Sequence, residues 1–159
     1  MRKLAFVGVI ALMTAWGCKD DSTDDNNTPT PLPNLKVTTT LSGANEVPAN
    51  GSLVTGTVDG TLNQETRILN LAIAYSDTAD SSYADSAFVP TAWHIHKGAV
   101  DSTGAVVIDF GKNFATPFTF TDTLTTEEVA DLKAGSYYVN IHSAKYPNGE
   151  IRGQLKAEE

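Results

Sequence analysis

The chain has 159 residues, with 11 lysine and arginine residues against 19 aspartate and glutamate residues, for a formal net charge of −8. This length provides one domain with a substantial core but not two. The acidic balance argues against a nucleic-acid partner and against electrostatic docking on anionic lipid, because phosphate groups would be repelled.

The first 17 residues have the features of a secretory signal peptide. Arg2 and Lys3 form a positive n-region, and residues 4–14 form an apolar run of the usual h-region length. The run is shorter than the roughly 20 apolar residues that a membrane-spanning helix needs. Removal of residues 1–17 leaves a net charge of −10. We therefore expect an exported, strongly acidic mature protein.

Cys18, the only cysteine of the chain, follows the apolar run directly. The segment 15–18, Ala-Trp-Gly-Cys, resembles a bacterial lipobox, in which a small residue precedes the cysteine that becomes lipidated and N-terminal. Ala15 and Trp16 depart from the usual pattern, which has leucine and a small residue at these positions. A lipid at Cys18, palmitate included, would anchor the protein through buried acyl chains. A free or intermolecular thiol is the alternative.

Residues 18–34 are predicted to be a lipidated cysteine followed by a disordered tether. Residues 19–27 are acidic and polar, and residues 28–33 are spaced by prolines, so neither stretch can bury enough apolar surface to order itself. The run Cys-Lys-Asp-Asp also resembles the signal that sends lipoproteins of the Bacteroidetes to the outer face of the outer membrane. A solvated spacer is the alternative. We expect an outer-membrane, surface-exposed lipoprotein, with a periplasm-facing anchor as the other option.

Residues 35–159 form the predicted domain, and their apolar residues recur with the period of two that is typical of strands. In the segment 67–75, for example, Leu69, Leu71 and Ile73 fall on one face. Glycine, asparagine, aspartate and proline occupy the gaps between the segments. The strand candidates are 35–41, 54–58, 67–75, 91–96, 105–110, 117–122, 137–143 and 150–156.

A single short helix is predicted between the last strands. Thr125 and Glu128 have the spacing of a capping box, and Gly135 is suited to the position that follows a helix end. Together with the strands, this pattern predicts an all-β fold, namely an antiparallel Greek-key β-sandwich of about eight strands with one short helix.

Two of the three histidines of the chain lie in the strand candidate 91–96. His94 and His96 are two residues apart, so their imidazoles are expected on one face of the strand. Trp93 and Ile95 then point to the opposite face, which we expect to be the core.

The third histidine, His142, ends the strand candidate 137–143 on the face that carries Tyr138 and Asn140. If the two strands are neighbours, three imidazoles converge into a ligand set suited to copper or zinc. Tyr138 and Asn140 would then support the ligands from behind. The alternative is a row of hydrogen-bonding histidines that attaches loops to the sheet without any cofactor.

No catalytic residue is predicted, and a binding role is favoured over an enzymatic one. The chain lacks the Gly-x-Ser-x-Gly pattern of serine hydrolases. Carboxylates such as Glu46 and Glu150 are plentiful, but a catalytic pair would need a cleft that raises the pKa of one of them. Arg152 is interpreted as an ion-paired or exposed strand residue.

Three motifs in order resemble the CHRD domain, which was first named from the extracellular protein chordin. They are Leu-Ser-Gly-Ala-Asn-Glu-Val-Pro at 41–48, His-Ile-His-Lys-Gly-Ala at 94–99, and a closing motif at 138–154. The resemblance implies an extracellular β domain, in bacteria often secreted or lipid-anchored, and no defined reaction. The acidic stretch 76–87 looks longer than the usual connection of the family at this place, and its role is left open.

A more distant resemblance links the histidine pattern to the Cu,Zn superoxide dismutase-like sandwich. That fold also carries a His-x-His strand and a later strand ending in a histidine as copper ligands, an order that His94, His96 and His142 match. A counterpart of the metal-bridging histidine and a zinc-binding loop are missing. The resemblance therefore implies a mononuclear three-histidine site but not dismutase activity.

Two hypotheses follow from the sequence. The first is a non-catalytic surface module that binds a protein or glycan partner or contributes to the envelope. The alternative is a mononuclear copper or zinc protein with a redox-active role. Substitution of the histidines distinguishes them, because it abolishes metal binding only under the second hypothesis.

Overall fold

A computed structural model of the chain describes residues 30–76 and 88–159. The predicted signal peptide, Cys18, most of the tether 18–34 and residues 77–87 of the acidic stretch lie outside these ranges. Residues 30–34 are exposed and form no regular secondary structure. Within the described ranges, no helix has both the length and the apolar character needed to cross a bilayer.

The described residues form strands and one short α-helix, which confirms the predicted all-β class. A 3-10 turn, Gly43–Asn45, directly follows the first strand. The strands are β1 (Leu35–Ser42), β2 (Thr55–Leu62), β3 (Ile68–Tyr75), β4 (Pro90–Lys97), β5 (Ala105–Asp109), β6 (Phe118–Thr123), β7 (Tyr137–Ser143), β8 (Ile151–Gln154) and β9 (Lys156–Glu158), and the helix is α1 (Thr126–Lys133).

The strands belong to one antiparallel sheet with the order β5-β4-β7-β8-β1-β2-β3-β6, and β9 pairs with β1. The sheet coils on itself, since the rings of Phe110, just after β5, and Phe120 of β6 are 4.9 Å apart between centroids. Its two halves meet between β8 and β1, where the pairing is limited to Ser42 and Arg152. The fold is therefore a sandwich built from two halves of one sheet.

The core lies inside the coiled sheet and follows the predicted alternation. Trp93 and Ile95 of β4 are fully buried, as expected from their alternation with His94 and His96 along the strand. Three phenylalanine rings pack around the Trp93 indole, with centroids 4.6–5.9 Å away. Because β4 is fixed on this side, its opposite side chains, His94 and His96, are held in a defined position.

The helix α1 begins and ends where the sequence predicts. Thr125 accepts a hydrogen bond from the Glu128 amide, and the Glu128 carboxylate accepts one from the Thr125 amide, which completes the capping box. Gly135 has a φ of 68°, a conformation that favours glycine after a helix end. Leu132 is the helix residue that is fully buried.

The last predicted strand, 150–156, is divided in two in the structure. Leu155 separates β8 from β9, is fully buried, and donates its amide hydrogen to the Tyr137 carbonyl over 2.9 Å. The chain changes partners at this residue, since β8 pairs with β7 and β9 pairs with β1. Periodicity alone does not reveal this change, because both parts keep the alternation of a single strand.

Candidate metal centre

Strands β4 and β7 are neighbours, so the sheet brings the three histidines together on one face. In the register of this pair His94 lies opposite Asn140, and His142 lies opposite Ala92, two residue pairs further along. One ring nitrogen from each of His94, His96 and His142 can be chosen such that all three lie within 4.8 Å of one another. His94 Nδ1 and His142 Nε2 lie 3.3 Å apart.

Backbone carbonyls set the orientation of two of the rings. His96 Nδ1 lies 3.0 Å from the Gly104 carbonyl oxygen, and His142 Nδ1 lies 2.9 Å from the Pro147 carbonyl oxygen. A carbonyl oxygen only accepts hydrogen bonds, so each Nδ1 carries the proton and each Nε2 keeps a lone pair. Both lone pairs are therefore available to an ion, in the arrangement typical of metal-binding histidines.

His94, two residues before His96 on β4, completes the set. Its Nε2 faces Asp109 Oδ2 at 4.0 Å, and its Nδ1 faces His142. An ion held tetrahedrally by nitrogen atoms at about 2.0–2.1 Å keeps those nitrogens about 3.3 Å apart. The separation of 3.3 Å between the two facing nitrogens is close to this value, and the full set of three nitrogens lies within the wider limit of 4.8 Å. The side chain of His94 is 17% exposed, so the cluster can be reached from solvent.

The surroundings keep the three imidazoles neutral. Burial lowers the pKa of His94, and the neighbouring His142 lowers it further. Burial is also the largest cause of the lowered pKa values of His96 and His142, although the carbonyl bonds of these rings act in the opposite direction. Neutral imidazole is the form that binds a metal ion, so little competition from protons is expected near pH 7.

Tyr138, which the sequence places on the histidine face, packs against His96. The two rings are stacked, with centroids 4.9 Å apart and an angle of 6° between their planes. The Tyr138 hydroxyl accepts a hydrogen bond from the amide of Gly104, the same residue whose carbonyl holds His96. Tyr138 thus fixes both the plane of the His96 ring and the loop that sets its tautomer.

Arg152 is buried, which differs from the interpretation of an ion-paired or exposed strand residue. It is 2% exposed, and its guanidinium carbon lies 3.5 Å from the centroid of the Tyr138 ring. The guanidinium donates to the carbonyls of Ser102 and Ala99 at 2.9 and 2.8 Å. Arg152 therefore fastens the β4–β5 loop over the sheet face that carries the histidines.

Asn140, the other predicted supporting residue, has a different partner. Its side-chain amide donates over 3.2 Å to Glu46 Oε2, in the segment that follows β1. Burial raises the pKa of Glu46 to about 7, while the positive charge of Arg152 lowers it. The described region therefore contains a carboxyl group whose pKa is raised by burial. Its hydrogen-bond partner is the Asn140 amide and not a second carboxyl group.

The residues that sequence reasoning missed act mainly through their backbone. Gly104 and Pro147 orient the histidines with carbonyl oxygens, so their side chains carry no signal of this role. Gly104 offers one indirect sign, because a Cβ atom at this position would collide with the Lys97 carbonyl. Only glycine therefore allows this close approach of the loop to β4.

Comparison with known proteins adds one finding. No curated protein and no solved structure matches the chain. A family model, that of the CHRD domain, matches residues 37–155. The match covers the sheet apart from the first two residues of β1 and the whole of β9, and it includes the three histidines, Tyr138, Asn140 and Arg152. The chain therefore belongs to the CHRD domain family.

Proposed function

We propose that this chain is a lipid-anchored, non-catalytic binding module of the cell envelope, and that its ligand is a single copper or zinc ion. His94, His96 and His142 would hold the ion, and Cys18 would carry the lipid. The observation that supports the metal most directly is the His96 Nε2 atom, which is buried and has no hydrogen-bond partner. This nitrogen is the lone-pair side of the ring, because its Nδ1 proton is bound by Gly104.

A purely structural role for the histidines accounts for the cluster less well. His94 Nδ1 could donate to His142 Nε2, and this bond would satisfy two of the rings. It would still leave His96 Nε2 as a buried acceptor without a donor, at a cost of about 1–3 kcal/mol. A bound ion removes this cost, since all three lone pairs then have a partner.

The donor set favours copper or zinc among the common metal ions. Three neutral imidazoles without a thiolate suit Zn²⁺ and Cu²⁺, whereas Mg²⁺ and Ca²⁺ require oxygen ligands. When bound, copper would supply one-electron chemistry and zinc would supply a Lewis acid. The residues described around the cluster orient the ligands, and Asp109 at 4.0 Å from His94 Nε2 is the acidic group next to it.

The decisive experiment is calorimetric titration of the full-length chain with Cu²⁺ and Zn²⁺, after purification in detergent without a histidine tag. We expect one ion per chain, and loss of binding in the double variant His94→Ala/His96→Ala. Thr91→Ala is the matched control, since Thr91 is an exposed residue of the same strand. Equal binding by the double variant and the control would contradict the metal site and would direct attention to a protein or glycan partner.

The membrane part of the proposal depends on other residues. The apolar run before Cys18, the lipobox-like segment and the acidic tether support a lipid anchor at the outer membrane, exposed at the cell surface. The net charge of −10 after loss of residues 1–17 supports attachment by acyl chains instead of attraction to anionic lipid. The two parts of the proposal are independent, so either can fail without the other.

A further inference from the structure

Glu46 and Asn140 form a buried polar pair that the metal site does not use. Glu46 is 8% exposed and Asn140 is 4% exposed. One hydrogen bond joins them, from Asn140 Nδ2 to Glu46 Oε2. The other oxygen of each side chain, Glu46 Oε1 and Asn140 Oδ1, is buried and has no hydrogen-bond partner. The pair therefore contains two buried acceptors without a donor.

The two unpartnered oxygens flank the same point of the structure. A Cβ atom built on Gly149 would lie 2.7 Å from Glu46 Oε1 and 2.7 Å from Asn140 Oδ1. The amide oxygen Asn140 Oδ1 only accepts hydrogen bonds, and so does Glu46 Oε1 when Glu46 is ionised. Neither oxygen can then donate a hydrogen bond to the other. A proton on Glu46 Oε1 would turn this oxygen into a donor, for which Asn140 Oδ1 is the neighbouring acceptor.

We infer that Glu46 is protonated in the folded protein and forms a cyclic acid–amide pair with Asn140. Glu46 Oε1–H donates to Asn140 Oδ1, while Asn140 Nδ2 donates to Glu46 Oε2. The proton comes from solvent, and no bond between heavier atoms forms or breaks. The pair then has no buried acceptor left over, and it ties the segment after β1 to β7 by two hydrogen bonds instead of one.

The charges around Glu46 come from several elements. Burial is the largest effect and raises the pKa of Glu46 to about 7, although Arg152 on β8, the Asn140 amide and the Val47 backbone all lower it. Lys156 on β9 shares with Glu46 a cavity of about 400 Å³, and Lys145 shares a second cavity of about 210 Å³. Glu150, fully buried, follows Gly149. The guanidinium of Arg152 is bonded to two loop carbonyls, so it is not committed to the Glu46 carboxylate.

The pair acts as a pH-sensitive link between two parts of the sheet. The pKa of Glu46 is higher in the folded chain than its ordinary value of 4.5, so the folded form holds an extra proton between the two values. The stability that this proton contributes is fully present below pH 4.5 and is lost as the pH rises through about 7. Mild acid therefore tightens this link and mild base loosens it.

The test compares the full-length chain with Glu46→Gln in urea denaturation between pH 4.5 and 8.5. Glutamine has the shape of the protonated acid and an NH₂ group that can donate to Asn140 Oδ1. We expect the unfolding constant of the wild type relative to the variant to rise with pH, by at most roughly tenfold per unit up to about pH 7, and then to level off. Glu158→Gln, an exposed change on β9, should leave the pH profile unaltered.

An ionised Glu46 that pairs with Arg152 gives the opposite result. The wild type would then be more stable than Glu46→Gln at pH 7, and this advantage would disappear on acidification. A second measurement does not depend on the variant, namely the pH titration of the Glu46 side-chain carboxyl carbon by NMR. A midpoint above pH 6 supports the acid–amide pair, and a midpoint at or below pH 6 overturns it.

Discussion

The guanidinium of Arg152 lies between the ring of Tyr138 and the β4–β5 loop, and it donates to the carbonyls of Ala99 and Ser102. Its role depends on the planar fork of donors, which a lysine ammonium cannot reproduce. The same loop carries Gly104, whose carbonyl holds His96. Arg152 on β8 therefore helps to position the candidate ligand His96, through the Tyr138 ring and through the β4–β5 loop.

The substitution Arg152→Met should lower the free energy of unfolding by about 2–4 kcal/mol, because it leaves the two loop carbonyls without their charged donor. Arg152→Lys is the control, and we expect it to restore part of the loss, since an ammonium can still donate to one of these oxygens. Chemical denaturation of the full-length variants measures both effects. A loss below 1 kcal/mol for the methionine variant would show that solvent replaces the guanidinium without cost.

At the scale of elements, we expect the stability of α1 to depend more on the capping hydrogen bonds of its first turn than on burial. Leu132 alone among the eight residues of this helix is fully buried. Thr125→Ala removes the side chain that accepts from the Glu128 amide and should destabilise the protein by about 1 kcal/mol. Thr126→Ala, one residue further along and exposed, is the matched control and should have little effect. Thermal unfolding compares the two, and equal losses would mean that the capping bond contributes nothing.

Strand content could be predicted from the sequence because each strand has its own alternation of buried and exposed residues. The faces of Trp93, Ile95, His94 and His96 follow from this alternation and agree with the structure. The adjacency of β4 and β7 could not be predicted, because it depends on contacts between segments about 45 residues apart. The burial of Arg152 could not be predicted either, because the β4–β5 loop, and not a second sheet, covers the face of β8 that carries it.

At the scale of the whole molecule, the proposed anchor at Cys18 predicts a lipid-dependent location. Labelled palmitate should be incorporated into the wild-type chain and not into Cys18→Ser, because the serine hydroxyl cannot form the thioether to which the acyl groups are linked. Most of the wild type should fractionate with membranes, and the variant should not. Ser22→Ala is a control in the same segment. Membrane association that survives loss of the label would contradict the lipid anchor.

The change of strand partner at Leu155 affects the order in which the elements of the fold form. The last strand, β9, pairs with the first, β1, while β8 holds β7, so the two halves of the sheet are joined near the C-terminus. Such pairing between chain ends is closed late, because the entropy cost of bringing distant segments together comes before any gain. A growing chain cannot complete this core until β8 and β9 have been synthesised. If the chain is exported as proposed, this late closure favours an unfolded chain at the translocon.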